Sequence, residues 1–291
     1  MSKILLFFIL ILVIIILILF IQNKKYKNEN FENYLNYIEN NIENNIENNN
    51  ANNNDKNNTI FLTKEELFNF LNLNIDNYYD TFTQKDLMVR NVNNVDQYIK
   101  KIYNSVSEFT LKEKLIIQTC INKISNNLDK IKFDYFDGEK ANKIIWKIGC
   151  VKGDQYEDGL PHTRNDIIIL NKNNITENSI NDIISLLIHE KVHVYQKMYP
   201  EDINNYLKKN NFKRIGERSE INNSNDLENI RANPDLDEWV YEDNNKIYKA
   251  IYEHGAKTVS DVKYSSNDGQ KSEHPFEKMA IELEDFYGKN F

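Results

Sequence analysis

The chain has 291 residues, enough for one large domain or two small ones, and carries a formal net charge of -8 with a pI near 5.3. An acidic chain is a poor match for nucleic acid, whose binding relies on Lys and Arg neutralising phosphates, so no nucleic-acid partner is expected. Cys120 and Cys150 can pair with each other, but two thiols make no disulfide framework and have no C-x-x-C spacing for zinc or redox chemistry.

Ile4 to Ile21 is an uninterrupted apolar run of 18 residues, just long enough to cross a bilayer core. Lys3 precedes it, Lys24, Lys25 and Lys27 follow it, and no small-residue cleavage site closes it. Residues 1–22 therefore read as an uncleaved single-pass transmembrane anchor, and a membrane location is expected. The lysines after the span mildly favour a cytosolic C-terminal part. Residues 23–58 are low in complexity: Ile-Glu-Asn-Asn repeats from Ile38, Ile42 and Ile46 and runs into an Asn tract. Nothing there can bury a core, so the stretch reads as a solvated linker.

The globular part is expected over 59–291, mainly helical over 59–135 and carrying the chemistry over 136–291. Thr63-Lys64-Glu65-Glu66 is a capping box, and Leu67, Phe70 and Leu71 continue the helix it opens. Thr110-Leu111-Lys112-Glu113 opens a second helix ending near Leu128. Lys143 to Gly149 and Asp166 to Leu170 are short, β-branched and bounded by turn residues, so both read as strands. A helix follows from about Ser179 to Tyr199, stopped by Pro200. Pro275 suits the first turn of a last helix, with Phe276, Met279, Ala280, Leu283 and Tyr287 on its apolar face. Helices, then strands, then helices indicate an α+β fold.

The motif His189-Glu190-Lys191-Val192-His193 sits on the helix expected over 179–199. Residues four apart share a helix face, so His189 and His193 can offer their imidazoles to one metal ion, with Glu190 beside it. Ile180, Ile183, Ile184, Leu187, Ile188, Val192 and Val194 make that helix apolar on more than one side, hence buried. Buried imidazoles and a carboxylate need partners, and a metal ion supplies one. A catalytic zinc takes three protein ligands and keeps one open position. No H-x-x-G-x-x-H continuation follows the motif, so the third ligand comes from elsewhere. Glu277, one turn before small Ala280, is the first candidate; His274, His254, Glu282 and Glu284 are the alternatives. Arg231, Tyr252 and His254 are the candidate catalytic donors to an oxyanion. His162 reads as a structural histidine.

The segments HEKVHVYQ and HPFEKMA together resemble the zincin metallopeptidase superfamily, in its gluzincin pattern of H-E-x-x-H with a glutamate on a later helix. The resemblance runs from about Gly159 to the C-terminus. It implies a zincin-like domain with His189, His193 and Glu277 as zinc ligands and Glu190 as general base. It also implies that the strand before the motif helix, at Asp166 to Leu170, lines the substrate cleft. Two departures mark a divergent branch. Glu277 lies 84 residues past His193, and the acid found four residues after the third ligand in thermolysin-like enzymes is Ile281 here. Heavy use of Asn, Ile, Lys and Tyr has the bias of an AT-rich genome, such as that of a giant virus or certain protists, so a viral protein is one expectation. The expected function is a membrane-anchored zinc metallopeptidase that hydrolyses peptide or protein substrates with a zinc-bound water and Glu190 as base. The alternative is a catalytically silent zincin-fold membrane protein with a binding or structural role.

Overall fold

In the computed structural model the described residues are 59–224, 229–244, 246–265 and 272–291. The expected anchor at 1–22 and the linker at 23–58 lie outside them; among the described residues no helix is long and apolar enough to cross a membrane. The fold is mixed α+β, with Asn57–Phe291 forming one compact unit.

The first half alternates short elements: β1 (Thr59–Phe61), α1 (Lys64–Leu73), α2 (Gln84–Val89), α3 (Val95–Ser105), β2 (Val106–Ser107) and α4 (Leu111–Leu128). Both expected capping boxes form, with Thr63 and Thr110 accepting from the N–H of Glu66 and Glu113. Thr83 and Asp86 make a third box that opens α2. Next come β3 (Lys132–Phe133), β4 (Phe136–Asp137), α5 (Gly138–Lys143), β5 (Trp146–Val151), β6 (His162–Arg164), β7 (Ile167–Asn171) and α6 (Lys172–Thr176). The expected strand at 143–149 is shifted along the chain, because Gly138 to Lys143 is a short helix capped by Asp137.

Five strands form one sheet in the order β1-β5-β7-β6, with β2 also on β5. β1, β5 and β7 run parallel, and β6 runs antiparallel to β7. β7 is therefore an inner strand with all five residues buried, and β6 is the edge. That corrects the expectation at Asp166 to Leu170: the edge strand beside the motif helix is His162–Arg164. One face of the sheet, with Val151, Ile167 and Ile169, packs against Leu67 and Leu71 of α1 and Tyr98 and Ile102 of α3. Gly149 allows that approach, because a Cβ there would meet Leu67 at 2.7 Å.

The other face carries α7 (Ile180–Met198), packed on β6 and β7 and on α4. Ser179 caps α7 with Asp182 as box partner, and Ile183, Leu187, Ile188, Val192 and Val194 are buried. Pro200 stops α7 as expected and also starts α8 (Pro200–Lys209) at its first turn. The stretch after it holds β8 (Lys213–Glu217), α9 (Arg218–Ser224), β9 (Trp239–Asp243), β10 (Lys246–Tyr248), β11 (Ala250–Tyr252) and β12 (Val262–Tyr264). These make a three-stranded sheet, β10-β9-β8, and a hairpin, β11-β12. The last helix, α10 (Pro275–Asn290), lies against α7, with Met279 and Ala280 fully buried.

Candidate metal centre

One face of α7 and the first turn of α10 bring three donor groups together. The Nε2 atoms of His189 and His193 stand 3.1 Å apart. Glu277 Oε2 lies 3.3 Å from the first and 3.8 Å from the second. Two ligands held at about 2.0–2.1 Å by a tetrahedral zinc stand about 3.3 Å apart, so the spacing fits such an ion. The small Ala280, one turn beyond Glu277, lets α10 approach α7 closely enough for this.

The outward nitrogens settle which atoms face the centre. His189 Nδ1 lies 3.0 Å from Glu284 Oε2, which only accepts, so the proton is on Nδ1. His193 Nδ1 lies 2.9 Å from Gln196 Oε1, and the Gln196 amide is oriented by its own Nε2 donating to the Phe276 carbonyl. When neutral, both imidazoles therefore turn an Nε2 lone pair toward a third acceptor, the Glu277 carboxylate. Three acceptors converging on one point repel one another unless a metal ion or a proton sits among them. Against burial, the Glu277 and Glu284 carboxylates hold His189 well above the ordinary imidazole value. Burial likewise opposes, and the two histidines outweigh it, in holding Glu277 well below the ordinary carboxylate value. The cluster favours a shared positive charge.

Glu190 is buried beside the triad. Its Oε2 accepts from Thr163 Oγ1 at 2.8 Å, which fixes the carboxylate to the middle of β6. Burial, then the negative charge of Asp235, push it up to about 7, while His189 and His193 pull the other way. Asp235 is itself held by the Thr163 N–H, and Asn233 Nδ2 donates to Glu277 Oε1 at 3.2 Å. His189, Glu277 and Glu190 line a cavity of about 480 Å³, walled by Leu160, Pro161, His162, Leu186, Val259 and the segment 231–235, with His193 buried behind them.

The other expected site residues divide. Arg231 lines the cavity, with Nη1 on the Val259 carbonyl and Nε and Nη2 on Glu273; of its five N–H groups two stay unassigned. Tyr252 does not belong to the site: it is buried elsewhere, donating to Asp86 and accepting from Arg90 Nη1 at 3.2 Å. His254 is exposed on the loop between β11 and β12 and does not line the cavity. Among the alternative ligands, His274 caps α10 and Glu282 accepts from Tyr206. Glu284 orients His189 from behind. It stands seven residues after Glu277, two helix turns along the same face. His162 is structural as expected: Nδ1 donates to the Leu160 carbonyl, and Nε2 accepts from Tyr156 Oη at 3.2 Å. Sequence reasoning missed Thr163, Asn233, Asp235 and Gln196; only Gln196, three residues past His193 on the same helix, carried a local signal.

Compared with protein families, characterised proteins and solved structures, the chain finds no match.

Proposed function

We propose that the chain is a metal-dependent amide hydrolase, a zinc peptidase built in the zincin manner. The observation that carries the reading is the convergence of two Nε2 lone pairs and one carboxylate around a point beside a buried, fixed Glu190. His189, His193 and Glu277 would hold the ion, since nitrogen and carboxylate donors in this number suit zinc. Zinc held there would supply Lewis acidity, lowering the pKa of water and polarising a carbonyl.

The chain's own residues do the rest. Glu190, its pKa pushed up to about 7, takes the proton from the attacking water as its oxygen bonds to the carbonyl carbon. It then gives that proton to the leaving nitrogen as the C–N bond breaks. Thr163 keeps the carboxylate aimed and Asp235 keeps it basic. Arg231, through its unassigned N–H groups, is the donor available in the cavity wall for the negative charge that develops on the carbonyl oxygen. The membrane anchor at 1–22 would place this chemistry near a bilayer. Glu190→Gln tests the reading: zinc content stays the same while hydrolysis of a peptide library falls about a thousandfold. Undiminished hydrolysis in that variant contradicts the mechanism.

A further inference from the structure

The sheet edge beside the cavity is closed. Thr163, at the centre of β6, turns its backbone away from β7: its N–H donates to Asp235 Oδ1, and its C=O accepts from Lys197 Nζ at 2.7 Å. Pro161, two residues earlier and in the same phase of the strand, has no N–H. The Leu160 N–H is taken by the Glu157 carbonyl. The backbone of 160–164 therefore presents no N–H to the cavity side for a substrate strand. The segment that closes the edge is firmly held. Lys197 also donates to the Pro234 carbonyl at 2.8 Å, the Ala232 N–H donates to Asp86 at 3.0 Å, and Arg231 is paired with Glu273. Adding a strand to a sheet needs alternating free donors and acceptors along its edge, and here the donors are missing or in use and the Thr163 carbonyl is taken.

The cavity itself is bounded and acidic. A volume of about 480 Å³ is that of an ordinary small-ligand pocket. Asp182, Glu190, Asp235, Glu277 and Glu284 line it, whereas Arg231, the one Lys or Arg among the described lining residues, is neutralised by Glu273. A dication and the nearby Lys197 do not cancel that many carboxylates. Such a cleft concentrates cations.

We propose that this site, on the hydrolase reading given above, takes compact amide substrates bearing a positive charge, gripped by cavity side chains, and not an extended strand paired to β6. Binding to the full chain carrying Glu190→Gln, loaded with zinc, tests it by fluorescence anisotropy. The probes are a blocked tetrapeptide with lysine at each position in turn, the norleucine counterparts, and twelve-residue extensions of both. The best lysine tetrapeptide is expected to bind about tenfold tighter than its norleucine counterpart, with the gap shrinking at high salt, and extension to change affinity less than about threefold. Equal affinity for lysine and norleucine, or a gain of about tenfold on extension, overturns the inference. Incubating the wild-type chain with the same peptides separates the two failures. Hydrolysis that favours long, neutral peptides removes this inference and leaves the hydrolase; no binding and no hydrolysis of any peptide removes both.

Discussion

Two buried clusters of charge lie close together in this protein, and they are built on opposite principles. In the first, Arg90 meets Glu157 through two hydrogen bonds of 2.7 and 2.8 Å, and Arg218 meets Asp86 at 3.0 Å. Tyr78, Tyr98 and Tyr252 supply the remaining partners, so each carboxylate faces a guanidinium and the cluster is complete in itself. In the second, His189, His193 and Glu277 turn lone pairs toward a common point, with Glu190 and Asp235 adding further negative charge. The first ties the helical N-terminal half to the segment 231–235 and needs nothing more. The second needs a cation at that common point, a metal ion or else a proton on an imidazole Nε2. Buried charge alone does not mark a functional site; buried charge left unbalanced by the protein does.

That contrast can be broken by removing one member from each cluster. Arg90→Met strands Glu157 in the interior and is expected to cost about 3–5 kcal/mol of stability, read as a lower urea midpoint, with zinc still binding the folded protein. A small stability loss would mean that the first cluster is less closed than its geometry indicates. Glu284→Gln sharpens the contrast from the other side. It weakens the acceptor behind His189 and should lower zinc affinity about 10–100-fold in competition with a chelator, with little change in the urea midpoint of the chelated protein. Unchanged zinc affinity would remove Glu284 from the site. The smallest effect is expected at Asp235. Its charge adds to burial in raising Glu190, and a base must be deprotonated to act. Asp235→Asn therefore lowers the Glu190 pKa, and the acid limb of the kcat/KM profile moves to lower pH. A limb that stays in place, or moves up, would show that Asp235 does not act on Glu190.

What the sequence disclosed follows the range of the interactions. The capping boxes at Thr63 and Thr110 are local, and each formed where it was expected; the motif helix likewise starts just after Ser179. His189 and His193 share a helix face by spacing alone, and Glu277 was reachable from the alanine one turn past it. The wall opposite them was not legible. Thr163, Asn233 and Asp235 reach the site through tertiary packing from a strand edge and from the turn before β9, and nothing near them in the chain announces it. Tyr252 and His254 show the same limit in reverse: residue types suited to catalysis, lying between the two motifs, but drawn by β11 toward Asp86 or out to solvent. The strands over 200–270 are three to five residues long and rich in charge, too short for an alternating pattern to stand out. That His162–Arg164, and not the strand at Ile167–Asn171, forms the edge was hidden for a related reason, since strand order depends on pairing that spans the sheet.

The central claim is that His189, His193 and Glu277 hold one metal ion. Its most direct test is zinc stoichiometry of the full chain after dialysis against trace zinc, set beside a variant carrying His189→Ala, His193→Ala and Glu277→Ala together. The geometry predicts one zinc per wild-type chain and none in the variant, with far-ultraviolet circular dichroism unchanged between them. A wild-type chain that folds and takes up no zinc, or a triple variant that retains it, would contradict the claim.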